Sequence, residues 1–341
     1  MGYVITLLCL TSLYTFYMGY TDGSNAVATT VTTRAMKPRV AILLAAAVQF
    51  LTVVSLYYFS TDLSVASTIG SGLISSEKYS DISERSAFLF LFSALISAII
   101  WSGVTYFLKL PNSTSHTLLG GIVGAGVAAF GFSSVVWKNV FLRIILMIFL
   151  APLFSVVIGF AMNKALRKAA LHAPMATGKV VTVLQWTNTV LISSAIAIND
   201  VQKSLGIYFL IVSLGVGVLP ATPPAYISLI FGAMLALGIL LGGYRVIVTI
   251  GQKLFKITPL MSLSSQIATN VLMFGSSMLG IPISTGQVIS SSIVGIGISE
   301  RAKGVKWITV KKIALGWVIT MPVTILFGAI FYLLLKTIIG G

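Results

Sequence analysis

The sequence predicts an all-α polytopic membrane protein of about ten crossings, built as two inverted-topology repeats with broken or re-entrant helices at two Pro-Ser-Thr motifs. Three observations carry this. Apolar residues fill 57% of the 341 positions and charged residues only 9%, against about 25% charged in a soluble domain. At about 20 apolar residues per crossing, that leaves room for roughly ten. The charges are also ordered: sixteen of the 22 Lys and Arg fall in alternate connections, at 34–39, 109, 164–179, 245–256 and 301–312. Finally, landmarks of the first half recur in the second. The formal charge of +15 is therefore a topology signal and no sign of a nucleic-acid partner.

The first apolar run begins at residue 3 with no Lys or Arg before it. It passes straight into Thr21-Asp22-Gly23-Ser24-Asn25 with no small-residue cleavage site, so it reads as a retained span and not a signal peptide. Further apolar stretches follow at about 40–59, 87–108, 116–136, 140–162, 180–198 and on to 218, 225–244, 260–280, 288–298 and 313–335. The basic connections mark the cytoplasmic side. The connection 61–86 holds four of the seven acids, Asp62, Glu77, Asp81 and Glu84, with only Lys78 and Arg85, as an outer loop would. This assignment places both termini outside a cell membrane and gives each half five crossings. An odd number inserts the second half upside down. The division falls at 1–163 for the first repeat, 164–179 for a cytoplasmic basic connection and 180–341 for the second repeat.

The recurrences fit. Asp22 returns as Asp200 (offset 178), Pro111-Asn112-Ser113-Thr114 as Pro282-Ile283-Ser284-Thr285 (offset 171), and Trp137 as Trp307 (offset 170). Inverted repeats of this kind belong to transporters whose site lies at the repeat interface near the bilayer midplane.

Of the seven acids, only Asp22 and Asp200 lie in or at the edge of apolar stretches. An ionised carboxylate there is costly and is normally kept for an ion or proton pathway; the plainer alternative is a helix end facing water. Gly23, Ser24 and Asn25 after Asp22 loosen a helix and offer oxygen ligands for a hard cation such as Na⁺. Asp200 follows Asn199 and precedes Gln202 and Lys203. The Lys203 ammonium either pairs with Asp200, attracts an anion, or snorkels to an interface as a topology residue. Each Pro-x-Ser-Thr segment has the layout of a helix start, whose free N–H groups suit an anion. Together, Ser113, Thr114, Ser284 and Thr285 present donors to a tetrahedral oxyanion from both sides; singly, each motif is an ordinary cap. The glycines that follow, Gly120, Gly121, Gly124, Gly126, Gly295 and Gly297, suit close helix contacts. No Walker pattern is present. His116 is a proton-relay candidate or a hydrogen-bonding residue of the fold. With His172 far away, and Cys9 the one cysteine, neither a metal triad nor a disulfide can be drawn.

Several of these segments resemble the PiT-type inorganic phosphate transporters, a family that includes related sulfate permeases. They are Gly19-Tyr20-Thr21-Asp22-Gly23-Ser24-Asn25-Ala26-Val27-Ala28-Thr29 with Thr33-Arg34-Ala35-Met36, then Asn199-Asp200-Val201-Gln202-Lys203-Ser204-Leu205-Gly206, the two Pro-x-Ser-Thr segments, and Gly304-Val305-Lys306-Trp307. The resemblance runs through nearly the whole chain, in the family's order. It implies an inverted-repeat fold and carriage of phosphate with Na⁺ or H⁺. It assigns Asp22, Asn25, Asn199 and Asp200 to cation and substrate, and Ser113, Thr114, Ser284 and Thr285 to the anion. Gln185 matches a Gln often found before the second acidic motif. Met18 replaces the family's first Asn, Ile196 and Ala197 replace a His-Gly, and Gln287 replaces a His that the first motif keeps as His116.

The leading expectation is a cation symporter for inorganic phosphate that works by alternating access, with no cofactor and Na⁺ or H⁺ as coupling ion. Sulfate is the alternative substrate, although an acceptor carboxylate near the site favours the protonated oxygen of phosphate. An intramembrane aspartic protease would need both aspartates to share a proton and leaves the Ser-Thr repeat unexplained. A passive anion channel would not depend on a cation gradient. The apolar outer faces suit the lipid bilayer and a homodimer.

Overall fold

The computed structural model describes residues 2–59, 63–75, 82–108, 112–172, 174, 177–215 and 223–339, with side chains at all of these except 59 and 243–253. Asp62, Glu77, Lys78, Asp81, Lys109 and Pro111 lie outside the described residues, as do the side chains of Arg245 and Lys253.

The fold is all-helical, and there is no β-strand among the described residues. In the first half, α1 (Gly2–Thr21) ends in a 3-10 turn (Gly23–Val27) and a short α2 (Ala28–Thr32). There follow α3 (Pro38–Phe59), α4 (Ser64–Gly70), α5 (Glu84–Phe107), α6 (Thr114–Phe130), one turn of α7 (Trp137–Asn139), a π-helical turn (Val140–Ile145) and α8 (Leu146–Ala169). The second half contains α9 (Thr177–Ser213), α10 (Ala225–Lys253), α11 (Pro259–Met278), α12 (Thr285–Arg301) and α13 (Trp307–Ile339). Among the described residues, seven helical segments are long and apolar enough to cross a membrane, which makes this a multi-pass membrane protein. The α6 helix is apolar but only 17 residues long. Within α11 the polar residues Ser262, Ser264, Ser265, Gln266, Thr269 and Asn270 are all buried, so its polarity faces the protein and lowers its hydropathy.

Two sequence expectations change in form. The stretch from 180 on to 218 contains one unbroken helix of 37 residues, α9, about 55 Å long at 1.5 Å per residue. The connection 61–86, read as an outer loop, contains α4. Its Val65, Ala66 and Ile69 are buried against α9, while Ser64, Ser67, Thr68 and Ser71 share the other face. The 3-and-4 spacing that makes this amphipathic covers too few residues to stand out in a polar connection.

The halves exchange helices. From the first half, α6 packs on α13 of the second, and α12 of the second packs on α8 of the first. The two crossings match in detail. A Cβ on Gly124 would fall 1.9 Å from the Ile325 carbonyl oxygen, and one on Gly295 2.1 Å from that of Val156. Likewise a Cβ on Gly328 would sit 2.5 Å from the Gly121 oxygen and one on Gly159 2.5 Å from that of Ser292. Only glycine permits such backbone approach. Trp137 Nε1 donates to the Phe132 carbonyl (2.9 Å) and Trp307 Nε1 to that of Ala302 (3.1 Å). Each of the long helices that follow carries an internal proline, Pro152 or Pro322.

Candidate substrate and ion site

The polar centre forms where α1 gives way to its 3-10 turn. Asp22 sits at that junction, with its N–H still bonded to the Met18 carbonyl (2.7 Å) and its own carbonyl accepting from Asn25 N (2.9 Å). Gly23 follows, and Gln49 of α3 donates to its carbonyl (3.0 Å). The Asp22 carboxylate is buried and receives the Thr114 hydroxyl at 2.5 Å and, at 3.4 Å, the Asn25 amide. Asn25 Oδ1 and Ser24 Oγ are buried beside it with no hydrogen-bond partner among the described residues.

Thr114 is the first residue of α6. Ser113 caps that helix by accepting from His116 N (3.3 Å), and Tyr14 of α1 donates to the Thr114 carbonyl (2.8 Å). Both helix starts lie inside the bundle and not at its surface, since Ser113, Thr114, Ser284 and Thr285 are all buried. They also meet: Ser115 Oγ donates to the Ile283 carbonyl at 2.9 Å. Ser284 begins α12 without making a side-chain cap. Thr285 Oγ1 and Gln287 Nε2 are buried without a partner among the described residues. Gly286 lies close enough to Asn25 that a Cβ there would be 3.7 Å from its Nδ2, so the start of α12 abuts the Asp22 turn.

Asp200 lies within unbroken α9 and is fully buried. Lys203, one turn on and also buried, donates to Asp200 Oδ1 at 2.5 Å and reaches the Ile283 carbonyl at 3.5 Å. Lys203 therefore pairs and does not snorkel. Asp200 Oδ2 has no partner among the described residues. Asn199 reaches Ser277 Oγ (3.4 Å) and the Ile281 carbonyl (3.5 Å), and Thr15 shares a 2.6 Å hydrogen bond with Ser204. Asp22 and Asp200 bond to different groups, which is not the shared-proton arrangement of a protease dyad.

Most of the expected residues thus converge on one centre drawn from both halves. His116 belongs to it through its backbone, while its Nδ1 is buried and unpartnered among the described residues. Gln185 does not belong. It lies about four turns before Asp200 on α9 and accepts the Thr33 hydroxyl (2.9 Å), near a cluster in which Gln266 donates to Thr30 (2.6 Å) and Thr189 (3.1 Å). Sequence reasoning missed Gln49 and Tyr14. Gln49 carries a signal, being the lone amide in an apolar run; Tyr14 carries none, because its role depends on which helix crosses it.

A multi-pass helical bundle that encloses one polar centre between its two halves has the architecture of a membrane transport protein. The comparisons with known proteins narrow the class. The model of the phosphate transporter family matches residues 18–178 and 163–328, and this chain belongs to that family. It is 33% identical to a probable low-affinity inorganic phosphate transporter of Bacillus subtilis, over 98% of this chain and 97% of the relative. A protein of the same description from Rhizobium meliloti is 32% identical over 96% and 95%. Among solved structures, one described as the sodium-dependent phosphate transporter shares the fold at a TM-score of 0.83 and 23% identity, over 99% of this chain and all of the other.

Proposed function

We propose that this chain is a secondary active transporter that carries inorganic phosphate across the cell membrane together with a cation, Na⁺ or H⁺, by alternating access of two inverted repeats. The observation that carries this reading is the convergence of both carboxylates and both Ser-Thr helix starts on one buried centre, joined by the hydrogen bonds from Thr114 to Asp22 and from Ser115 to Ile283. The names of the relatives support phosphate, and the name of the solved structure supports Na⁺. The matched glycine crossings and prolines of the two halves support the repeat.

In this reading the cation binds at Asp22, where Asn25 Oδ1 and Ser24 Oγ add neutral oxygens of the kind hard cations take. Asp200 and Asn199 form the second acidic position, with Lys203 already at the carboxylate. The anion binds between the helix starts, where the Thr285 hydroxyl and N–H groups at the head of α12 meet it, and a carboxylate accepts its protonated oxygen. The bound cation offsets the charge of the anion, and the halves rock about the loaded site with both termini outside.

Uptake of labelled phosphate into proteoliposomes under imposed Na⁺ or H⁺ gradients tests this. Gradient-driven uptake that resists unlabelled sulfate and is lost in both Asp22→Asn and Asp200→Asn is expected. Wild-type rates in both variants overturn the site. Uptake abolished by modest sulfate makes this a sulfate permease, and uptake indifferent to either gradient makes it a channel.

A further inference from the structure

An open polar cavity of about 480 Å³ lies apart from the buried centre, within the range of small-ligand sites (about 300–1,000 Å³). Hydroxyls at Ser64, Ser67, Thr68 and Ser71 line one wall, and Asn139 and Arg143 the other. We propose that this cavity is an outer vestibule in which Arg143 and the hydroxyl face of α4 hold a tetrahedral oxyanion before it enters the buried centre; the proposal rests on the transport reading above.

The local structure is built for this. Arg143 projects from the π-helical turn Val140–Ile145, an irregularity that helices carry mostly at functional sites. One of its guanidinium nitrogens donates to Thr68 Oγ1 at 2.6 Å, its one hydrogen bond among the described residues. A guanidinium has five N–H donors in a planar fork that matches two oxygens of a phosphate or sulfate. No carboxylate lines the cavity among the described residues. Ser67 and Ser71 are exposed on the open side. Among the described residues the lining offers one cation among neutral side chains, which holds an anion loosely, as an entry station must.

The cavity is also wired to the centre. Thr68 donates onward to the Gly280 carbonyl (2.8 Å), at the start of the segment that leads through Ile283 to α12. At the other end of α4, the side-chain oxygen of Gln202 accepts from Val65 N (2.9 Å) and Ala66 N (3.3 Å), and Gln202 stands two residues after Asp200. This short helix therefore separates the cavity from the buried site while touching both. The loop at 73–75 beside it bonds to the segment 134–136, at the end of the bundle that the basic-residue count places outside.

Kinetics of phosphate uptake supply one test. Arg143→Gln is expected to raise the KM for external phosphate by up to about tenfold, as loss of electrostatic steering does, while the saturated rate stays at the wild-type value. Arg143→Lys, which keeps the charge but loses the fork, should give a KM between those of the wild type and Arg143→Gln. An unchanged KM in Arg143→Gln overturns the proposal, and so does a joint fall in affinity and saturated rate in both variants, which marks a packing role. Thiol labelling reads the same site without transport. In a Cys9→Ser background, Ser71→Cys should react with a membrane-impermeant thiol reagent, and inorganic phosphate or sulfate should slow the reaction. Labelling indifferent to both anions overturns the vestibule. Absence of phosphate uptake by the wild-type protein sinks the transport reading alone.

Discussion

The two acidic positions are both buried but are held in opposite ways. Asp22 sits at a break, where α1 turns into a 3-10 segment, and its carboxylate is met by neutral donors, the Thr114 hydroxyl and the Asn25 amide. Asp200 sits in the middle of a continuous helix and is met by a full cation, Lys203. Counting formal charges, the centre holds two carboxylates and one ammonium. The uncompensated negative charge lies on the Asp22 side, where a mobile cation gains most. The difference teaches that two buried acids are wired differently: Asp22 meets only neutral donors among the described residues, and Asp200 carries its counter-ion in the fold.

Lys203 offers the largest test of that contrast. Removing one partner of a buried ion pair leaves a charge without compensation and costs about 3–5 kcal/mol, whereas replacing both is often close to neutral. Lys203→Met is expected to destabilise the purified protein by that amount in thermal or denaturant unfolding in detergent, and the double variant Lys203→Met with Asp200→Asn to recover most of the loss. Equal stability of Lys203→Met and wild type would mean that Asp200 is balanced from elsewhere and that the two halves are alike.

Thr114 gives the matching test on the first half, at smaller scale. Its hydroxyl donates to Asp22, and a hydrogen bond to a charged group contributes about 1.5–3 kcal/mol. Thr114→Val should lower stability within that range, and Thr114→Ser, which keeps the donor, should restore most of it. Because Asp22 keeps Asn25, the loss should stay below that of Lys203→Met. A loss as large would show that neutral donors hold Asp22 as firmly as an ammonium holds Asp200.

Much of this contrast was legible in the chain, and the rest was hidden for physical reasons. The apolar runs pointed to the long helices because an apolar segment of bilayer length must satisfy its backbone within itself, which a helix does. The repeated Asp and Ser-Thr landmarks pointed to a shared centre because short polar motifs survive in apolar surroundings only where they have partners. The wiring was not legible. Lys203 could be read as a pair, an anion attractor or a snorkelling residue, since a lone basic residue does not reveal which neighbour it faces. Gln185 belonged to the same motif set by resemblance, yet α9 runs unbroken from it to Asp200 and carries it to a different cluster. The amphipathic turn of α4 was masked by its polar connection, and with it the cavity at Arg143. Such features depend on which helices cross, and crossing is decided by backbone approach at glycines such as Gly124 and Gly295.

Thr285 carries the smallest expected effect on stability and the sharpest on function. It is the second-half counterpart of Thr114, yet its hydroxyl is buried without a partner among the described residues, while that of Thr114 is taken by Asp22. A buried hydroxyl without a protein partner contributes no hydrogen bond to the fold, and its replacement by an apolar group of the same shape is nearly neutral or stabilising. Thr285→Val is therefore expected to change unfolding stability by less than about 0.5 kcal/mol, the range of substitutions that disturb no such feature. Uptake should respond differently. If the hydroxyl faces the transported anion, its removal leaves a polar ligand unpaired in a closed site, and the KM for phosphate should rise at least about tenfold, the equivalent of one lost hydrogen bond to a charged group. Measuring both quantities on Thr114→Val and Thr285→Val then separates the two halves. The first variant should lose stability and the second affinity; if instead both lose stability equally, Thr285 has a structural partner and the asymmetry at the centre disappears.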